Sequence, residues 1–432
     1  MLEQLLRLLH EQCARLPDAR QPSPNLKYRV SDAAVSAFAV FFMQSPSFLA
    51  HQRDMQRSKG RNNAQSLFGV QQIPSDNQIR NILDPIAPAE LSALFWQVYE
   101  QPQVCQRLAQ HTGVAGNLWC ALDGVQYFSS NAIHCPHCTR IQHADQTSYR
   151  HSLIAPVLVA PDSPLVFNLE PEFIQPQDGS EKQDGEQQAI KRWLQRHAQR
   201  LPPDRTTILT DDLHCHQPVC ELLRDCHFNF ILVCLPASHE TLYRAIELLA
   251  AHGLLEPLSQ RVWNGRFYER QDYRFTNQVP LRSGADALWV NWCDVAIWHT
   301  QTGEQLYHNA FATNFHLTAA NVAEVVRAGR ARWKTENENH NTLKNRGYHL
   351  AHNFGHDQQY LSALLVTLNL LACLFHTLLW LSEPLAQQLR TALGPLMTFW
   401  DDVRTLTRYF HFPSWTQLFA FMIKQLELAA SP

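Results

Sequence analysis

The sequence predicts an α/β protein in which an all-helical domain precedes a mixed core and further helices end the chain. Three observations support this class. Short apolar runs with helical spacing open the chain, extended runs rich in β-branched and aromatic residues follow, and helical spacing returns at Ala319. The chain has 432 residues, 45% hydrophobic and 17% charged, which is enough to bury real cores and excludes disordered and collagen-like classes.

Residues 1–115 are predicted to form a helical N-terminal domain that carries a basic patch. The net charge of the chain is −3, so any nucleic-acid partner must bind a local patch. One segment has four basic side chains and a single acid, Asp54; the basic residues are Arg53, Arg57, Lys59 and Arg61. This patch is either a solvated loop or an element that contacts DNA phosphates.

A polar helix is predicted shortly after the basic patch. Ser75 or Asp76 is placed to cap its N-terminus, and the helix carries Gln78, Arg80 and Asn81. Such a helix either enters a DNA groove or is simply exposed to solvent.

Residues 116–225 are predicted to form the first part of a ribonuclease H-like core. Three extended runs are followed by a helix, a fourth strand and a second helix, and the fourth strand is expected to pair in parallel. The extended runs are 118–129, 149–160 and 165–174, the helices start near Glu181 and Pro218, and the fourth strand is 206–210.

The ribonuclease H-like core is predicted to be interrupted by a β-rich insertion before its last helices. Residues 226–318 contain runs at 266–279, 287–299 and 305–313, which read as antiparallel strands of an inserted sheet. Residues 319–432 then supply the C-terminal helices of the core.

The segment Tyr360 to Leu381 is long and apolar enough to cross a bilayer. Asn369 and His376 dilute it, so we expect a buried core helix and no membrane association. Eleven scattered cysteines and an N-terminus unlike a signal peptide favour a reducing compartment, the cytoplasm.

Asp123 is the first candidate catalytic residue. On a continuous strand it shares a face with Trp119, Ala121, Val125 and Tyr127, and an ionised carboxylate in such an apolar row calls for a metal, a cation or catalysis. The alternative is an aspartate that ends a strand and caps the turn at Gly124.

The second candidate is Asp211, which directly follows the strand 206–210, at the end where open α/β sheets bind ligands. Its neighbour Asp212 is a close alternative, and sequence position alone does not choose between the two.

The third candidate is Glu336, on a helix whose buried stripe is predicted to include Trp333. Arg332, Glu336 and His340 follow i, i+4 spacing, so Arg332 is expected to hold the Glu336 carboxylate, with Lys344 one turn later. Glu338 should face elsewhere. A lone pair of this kind would be a surface salt bridge.

Three acids from two strands and a distant helix are suited to two magnesium ions. Hard cations prefer carboxylate oxygens, and two such ions about 4 Å apart support in-line phosphoryl transfer. This chemistry suits DNA cleavage and strand joining.

The chain resembles the DDE transposases of bacterial insertion sequences, a group filed as ISNCY-type and similar to the larger IS-four-like class. The resemblance covers nearly all of the chain. It rests on the segments ALDGVQYFSSNAIHCPHC, PEFIQPQDGSEKQDGE, ILTDDLHCHQP, FILVCLPASHETLY and RWKTENENHNTLKNRGYHLAHNFGH, together with SLFGVQQIPSDNQIRNILD near the N-terminus.

The resemblance implies a transposase that cleaves and joins DNA with Asp123, Asp211 and Glu336 on two Mg²⁺ ions, for which Mn²⁺ can substitute. It further implies a homodimer on paired DNA ends, located at the nucleoid, with Arg332 and Lys344 as DNA contacts. The rival interpretations are an inactive DNA-binding relic and a metal-dependent nuclease that cuts without joining.

Cys135 and Cys138, with His143 and His151 nearby, have the CxxC spacing of a zinc site, but no standard finger fits, so a loop with free thiols is the expected case. The insertion contains tryptophans that either stack on a flipped base or belong to the core: Trp263, Trp289, Trp292 and Trp298.

Overall fold

The protein is a mixed α/β structure. The computed structural model describes residues 1–55, 58–110, 112–143, 146–161, 163–164, 166–176, 185–356 and 358–428, without the side chains of residues 55, 58–62 and 143.

Helices occupy both ends of the described chain and alternate with strands in its middle. Those before the first strand are α1 (Leu2–Cys13), α2 (Val30–Phe42), α3 (Phe48–Met55), α4 (Ser58–Phe68), α5 (Asp76–Leu83), α6 (Ala89–Tyr99) and α7 (Pro102–Leu108). Those between or after strands are α8 (Glu186–His197), α9 (Gln217–Asp225), α10 (Glu240–Ala251), α11 (Val322–Ala331), α12 (Asn341–Asn345), α13 (Leu361–Ser382), α14 (Pro384–Leu393), α15 (Leu396–Tyr409) and α16 (Trp415–Gln425).

Within the described residues the strands form a nine-stranded and a four-stranded sheet. In chain order they are β1 (Leu118–Ala121), β2 (Gly124–Ser130), β3 (Thr139–His143), β4 (Gln146–Ile154), β5 (Val157–Val159), β6 (Phe167–Asn168), β7 (Glu172–Ile174), β8 (Thr206–Thr210), β9 (Asn229–Val233), β10 (Glu256–Trp263), β11 (Tyr268–Pro280), β12 (Trp289–His299) and β13 (Gln305–Thr313). The larger sheet has the order β10-β11-β12-β13-β9-β8-β1-β5-β6.

The centre of the larger sheet is parallel and its flanks are antiparallel. Strand β1 pairs with β8 in parallel, and β8 pairs with β9 in parallel. On the other side of β1, strands β5 and β6 follow in antiparallel pairing. The predicted fourth strand, 206–210, is confirmed as β8, and it is buried along its whole length. Buried parallel strands of this kind read as apolar and β-branched runs, here TTILT.

Each of the three extended runs that were predicted as single strands is divided between the two sheets. The breaks fall at Leu122–Asp123, Ala155–Pro156 and Leu169–Pro171. Proline removes a ladder donor, which explains why two of the runs stop pairing there. A backbone bond from Ala155 N–H to the Asp123 carbonyl (3.0 Å) ties two of the bends together. Asp123 therefore lies at a seam between the sheets.

The β-rich insertion extends the larger sheet. The expectation that it forms an inserted sheet of its own was wrong. Strands β10 to β13 form an antiparallel meander, and β13 pairs with β9 through Phe311 and Val233. Strands β11, β12 and β13 match the three predicted runs closely, whereas β10 was missed because it is largely exposed and polar.

The N-terminal helices share one hydrophobic core with the C-terminal helices. Phe42 of α2 packs its ring against Trp400 of α15 and Trp415 of α16. Asn63 of α4 is fully buried: its amide donates to the carbonyls of Thr407 and Phe410, each at 2.7 Å. Its side-chain oxygen accepts from the backbone N–H of Phe412 at 2.9 Å. The two ends of the chain are thus joined in one helical layer.

Helix α13 is long and apolar enough to span a membrane, but 89% of its most apolar window is buried inside the protein. Its polar side chains bond within the core. Asn369 donates to the Tyr348 carbonyl (2.8 Å), and His376 Nδ1 lies 2.6 Å from the Tyr348 hydroxyl. This is the environment of a buried core helix, as the sequence predicts.

Candidate functional site

Asp123 lies where β1 ends, beside the seam, and not in a continuous apolar row. Trp119 and Ala121 face one core, whereas Val125 and Tyr127 face the other, because the strand breaks between them. The expectation that these four residues share a face with Asp123 was therefore wrong. The backbone N–H of Gly124 donates to Asp123 Oδ1 at 3.0 Å, so the turn reading was partly right.

The carboxylate of Asp123 is mostly buried and lies near other acidic side chains. The pKa of Asp123 is raised to about 6: burial contributes most, the charge of Arg332 opposes the rise, and the charges of Asp211 and Glu336 add to it. Charges that influence one another in this way lie in the same neighbourhood. The structure thus brings together the three acids that the sequence selects from two strands and a distant helix.

Asp211 follows the carboxyl end of β8, next to the carboxyl end of β1 in the parallel pair. Its Oδ1 is buried and, among the described residues, has no hydrogen-bond partner, although His214 Nε2 lies 3.5 Å away. Burial lowers the pKa of His214, against the charge of Asp211. An acid with an unsatisfied buried oxygen is suited to accept a cation.

Asp212 points the other way and is occupied by structural contacts. Its carboxylate accepts from the backbone N–H of Leu235 at 2.6 Å and from the Ser238 hydroxyl at 2.5 Å. His239 Nε2 lies 3.3 Å away. These bonds fix the loop after β9, so the geometry favours Asp211 over Asp212 as the site residue.

The helix that carries Glu336 is irregular, which changes the neighbours expected for it. It breaks at Arg332, whose N–H bonds to the carbonyl only three residues earlier, and continues as a π-helical segment, Thr335–His340. As a result Arg332 binds Asp123 (Nη1 to Oδ2, 3.2 Å) and not Glu336. Trp333, predicted as buried, is 44% exposed, while Lys334 is buried. Glu336 is exposed, and its charge acts on Asp123.

The other residues predicted on this helix fall into two groups. His340 is buried, and burial, Lys344 and Arg332 lower its pKa to about 4, so Arg332 and Lys344 lie on its side of the helix. Glu338 instead lines an open cavity of about 520 Å³ together with Arg346 and Arg390. Glu338 therefore faces away from Asp123, as the helical spacing predicts.

A fourth acid, Glu186 at the start of α8, joins the site and was missed from the sequence. The charges of Asp123 and Asp211 both raise its pKa, after the larger effect of burial. Its carboxylate occupies the space beside Gly124: a Cβ on Gly124 would lie 2.3 Å from Glu186 Cδ. The signal available was its place as the last residue of the segment PEFIQPQDGSEKQDGE, which the resemblance had already singled out.

The basic patch predicted in the N-terminal domain is only partly described. Arg53 is exposed on α3. Arg57 lies outside the described residues. Lys59 and Arg61 belong to α4, but their side chains are not among the described parts of the structure.

The predicted polar helix is α5. Its N-cap is Ser75, which forms a capping box with Gln78. Arg80 forms an ion pair with Asp76 at 2.9 Å.

The tryptophans of the insertion differ in exposure. Trp292 is buried in the core, Trp298 is partly buried under Arg270, and Trp263 and Trp289 are more than half exposed. The core interpretation holds for Trp292 only.

Two Cys/His groups among the described residues could hold a metal ion. The first contains Cys135 and Cys138 with His151 and His356; His356 lies 218 residues from Cys138 and was not among the histidines that the sequence analysis considered. The second contains Cys215, Cys234 and His239, all buried. The acids are a separate group, whose oxygens do not all approach within 4.8 Å among the described residues.

No protein-family model matches this chain, and no curated protein matches it either.

Proposed function

We propose that this protein is a DDE transposase that cleaves and joins DNA ends, with Asp123, Asp211 and Glu336 as the catalytic acids. The observation that carries the proposal is that these three residues lie in one neighbourhood, although they come from two parallel strands and a helix more than 120 residues downstream of β8. Hydrolytic and transfer reactions of phosphodiesters use such carboxylate sets.

The strand pattern supports the same proposal. In the order β6-β5-β1-β8-β9, strand β5 alone runs antiparallel to β1, because β6 pairs antiparallel with β5 and β8 and β9 follow in parallel. We take this order as support for the three early strands and the parallel fourth strand expected of a ribonuclease H-like core. Two of the acids follow β1 and β8, the central parallel pair, and ligand sites in open α/β sheets lie at this edge.

The donor set fits hard divalent cations. Asp211 has an unsatisfied buried oxygen, Glu336 is exposed, and Asp123 and Glu186 add further carboxylates. In our proposal Asp123, Asp211 and Glu336 hold Mg²⁺, and the bound ions would supply activation of the attacking oxygen and stabilisation of the leaving one. Arg332 neutralises Asp123 until a cation binds, and Lys344 contacts a DNA phosphate.

We assign end recognition to the helical N-terminal region, through Arg53 and the neighbouring basic residues Arg57, Lys59 and Arg61. Because the proposed reaction cleaves and joins two paired DNA ends, we propose that the protein acts as a homodimer. Its DNA substrate places it in the bacterial cytoplasm, at the nucleoid. An inactive DNA-binding relic and a nuclease without joining activity are the two rivals.

The test is Mg²⁺-dependent cleavage and joining of a duplex that carries the ends flanking the gene. We expect Asp123→Asn, Asp211→Asn and Glu336→Gln each to reduce cleavage at least 1,000-fold, an order-of-magnitude expectation for loss of a metal ligand, while DNA binding persists. Glu338→Gln, on the same helix, is the matched control and should cleave normally. Cleavage without joined products would support the nuclease; binding without cleavage would support the relic.

A further inference from the structure

The loop between β2 and β3 brings two thiols to two histidines from distant parts of the chain. Cys135 and Cys138 lie in this loop, His151 is on β4, and His356 lies in the segment that leads to α13. Cys138 and His151 are buried, at 3% and 4% exposure. Polar side chains that converge from three segments in a buried place need a shared partner.

The distances between the ligand atoms are those of a tetrahedral zinc site. Zinc bonds of about 2.3 Å to sulfur and about 2.0 Å to nitrogen place tetrahedral ligands about 3.8 Å apart for two sulfurs and about 3.5 Å apart for sulfur and nitrogen. The two Sγ atoms are 3.9 Å apart, and His151 Nε2 lies 3.4 Å from each of them. His356 Nε2 lies 3.7 Å from Cys138 Sγ.

The two imidazole rings are held in place by aromatic packing. His151 stacks on Tyr127 with centroids 5.5 Å apart and an angle of 7° between the rings. His356 lies 4.4 Å from the Phe128 ring. Both rings therefore present Nε2 to the thiols without help from the metal, which is the preorganisation that a structural site requires.

We propose that Cys135, Cys138, His151 and His356 bind one structural Zn²⁺ that fastens the four-stranded sheet to the segment preceding α13. The chemistry of the set, two thiolates and two imidazoles, selects zinc over magnesium. All four positions are filled by protein ligands, so the ion is structural and holds no substrate. This proposal does not depend on the proposed function.

The site connects the four-stranded sheet to a segment far along the chain. His356 is separated from Cys138 by 218 residues, so the ion would close a long loop. Crosslinks that close long loops are expected to stabilise a fold most, and loss of the ion should therefore destabilise this one. The same thiols could instead form a redox-active CxxC pair. The two alternatives predict different zinc contents, because only the structural site requires one bound zinc ion per chain.

The full chain, purified without chelator, should contain about one zinc per molecule by elemental analysis. We expect His356→Ala and Cys135→Ser to lower this content at least tenfold. Cys226→Ser, at a half-buried cysteine outside both Cys/His groups, should leave it unchanged. Far-ultraviolet circular dichroism reports whether each variant is folded.

His356→Cys keeps the proposal testable if the alanine variant does not fold, because it replaces one zinc ligand by another. It should retain zinc, and when Co²⁺ replaces zinc, its thiolate-to-cobalt charge-transfer band should be stronger than that of the natural chain. A zinc-free folded protein would overturn the proposal. Zinc retained in His356→Ala but lost in Cys234→Ser would overturn it too, by assigning the ion to the second group.

Discussion

Arg332 Nη1 donates to Asp123 Oδ2 across 3.2 Å, joining the break after α11 to the seam between the two sheets. Both side chains are mostly buried, at 22% and 18% exposure. Because burial raises the pKa of Asp123 and Arg332 lowers it, the arginine is the internal counterion of the acid in the free protein. A bound divalent cation would take over that role.

We expect Arg332→Gln to shift the activity of the protein to higher pH. Without the guanidinium the pKa of Asp123 rises above about 6, so at neutral pH more of it is protonated and unable to bind a cation. The measurement is the pH profile of Mg²⁺-dependent DNA cleavage. Arg330→Gln is the control, because that guanidinium lies over the Tyr307 ring. An unshifted acidic limb in Arg332→Gln would show that Arg332 does not act through Asp123.

Asp123→Asn should stabilise the metal-free protein at alkaline pH. The folded-state pKa of Asp123 is raised from 3.8 to about 6, so ionised Asp123 destabilises the fold above pH 6, and this penalty disappears as the pH falls toward 3.8. The shift corresponds to about 3 kcal/mol at most.

The free energy of unfolding, measured with urea at several pH values in the presence of chelator, checks this prediction. The variant should exceed the natural chain near about pH 8 and match it near about pH 4. Added Mg²⁺ should stabilise the natural chain and leave the variant little changed. Equal stability of the two proteins at every pH would contradict the prediction.

Gly124→Ala should disturb the acidic site through Glu186. The new methyl group would collide with the end of the Glu186 side chain, so this carboxylate must swing away from its place beside Asp123 and Asp211. Gly185→Ala, at the N-cap of the same helix, has open space around its Cβ and is the matched control. Thermal unfolding and Mg²⁺ affinity are the readouts, and a Gly124→Ala protein with both unchanged would refute the close approach.

Asp212→Asn and Asp211→Asn should have opposite effects on stability and on Mg²⁺ affinity. Asp212 holds the Leu235 N–H, the Ser238 hydroxyl and His239, so Asp212→Asn should cost about 2–4 kcal/mol of stability while Mg²⁺ affinity persists. Asp211→Asn should leave stability nearly unchanged and lower Mg²⁺ affinity. Isothermal titration with Mg²⁺, combined with urea unfolding, separates the two. If Asp212→Asn alone lost the metal, the assignment of the second acid would be reversed.

Periodicity and strand position predicted most of the elements and chose three acids that lie in one neighbourhood. TTILT became a buried parallel strand, and Asp211 followed it, because β-branched runs and strand ends carry local signals. The neighbour of Glu336 was mispredicted, since a single change from α- to π-helical bonding rotates every later side chain and has no local signature.

Contacts between distant segments were the other failure. His356 completes the Cys/His group from a site 218 residues beyond Cys138, and Glu186 reaches Gly124 from another element. The strand breaks at Pro156 and Pro171 were visible as prolines, yet the passage of three strands between two sheets is a property of the whole fold. Residue spacing predicts which side chains are neighbours within one helix or strand, but it does not predict contacts between distant segments.

The shared core of α2 and α13 has a consequence for synthesis of the protein. Helix α2 is buried on nearly every side, and much of its cover, α13, α15 and α16, emerges from the ribosome more than 300 residues later. At about 5–20 residues per second, an apolar helix waits for tens of seconds without its partners. The first helices must therefore be sheltered by chaperones or by temporary contacts until the last residues arrive. Truncation at the C-terminus should for this reason unfold the beginning of the chain.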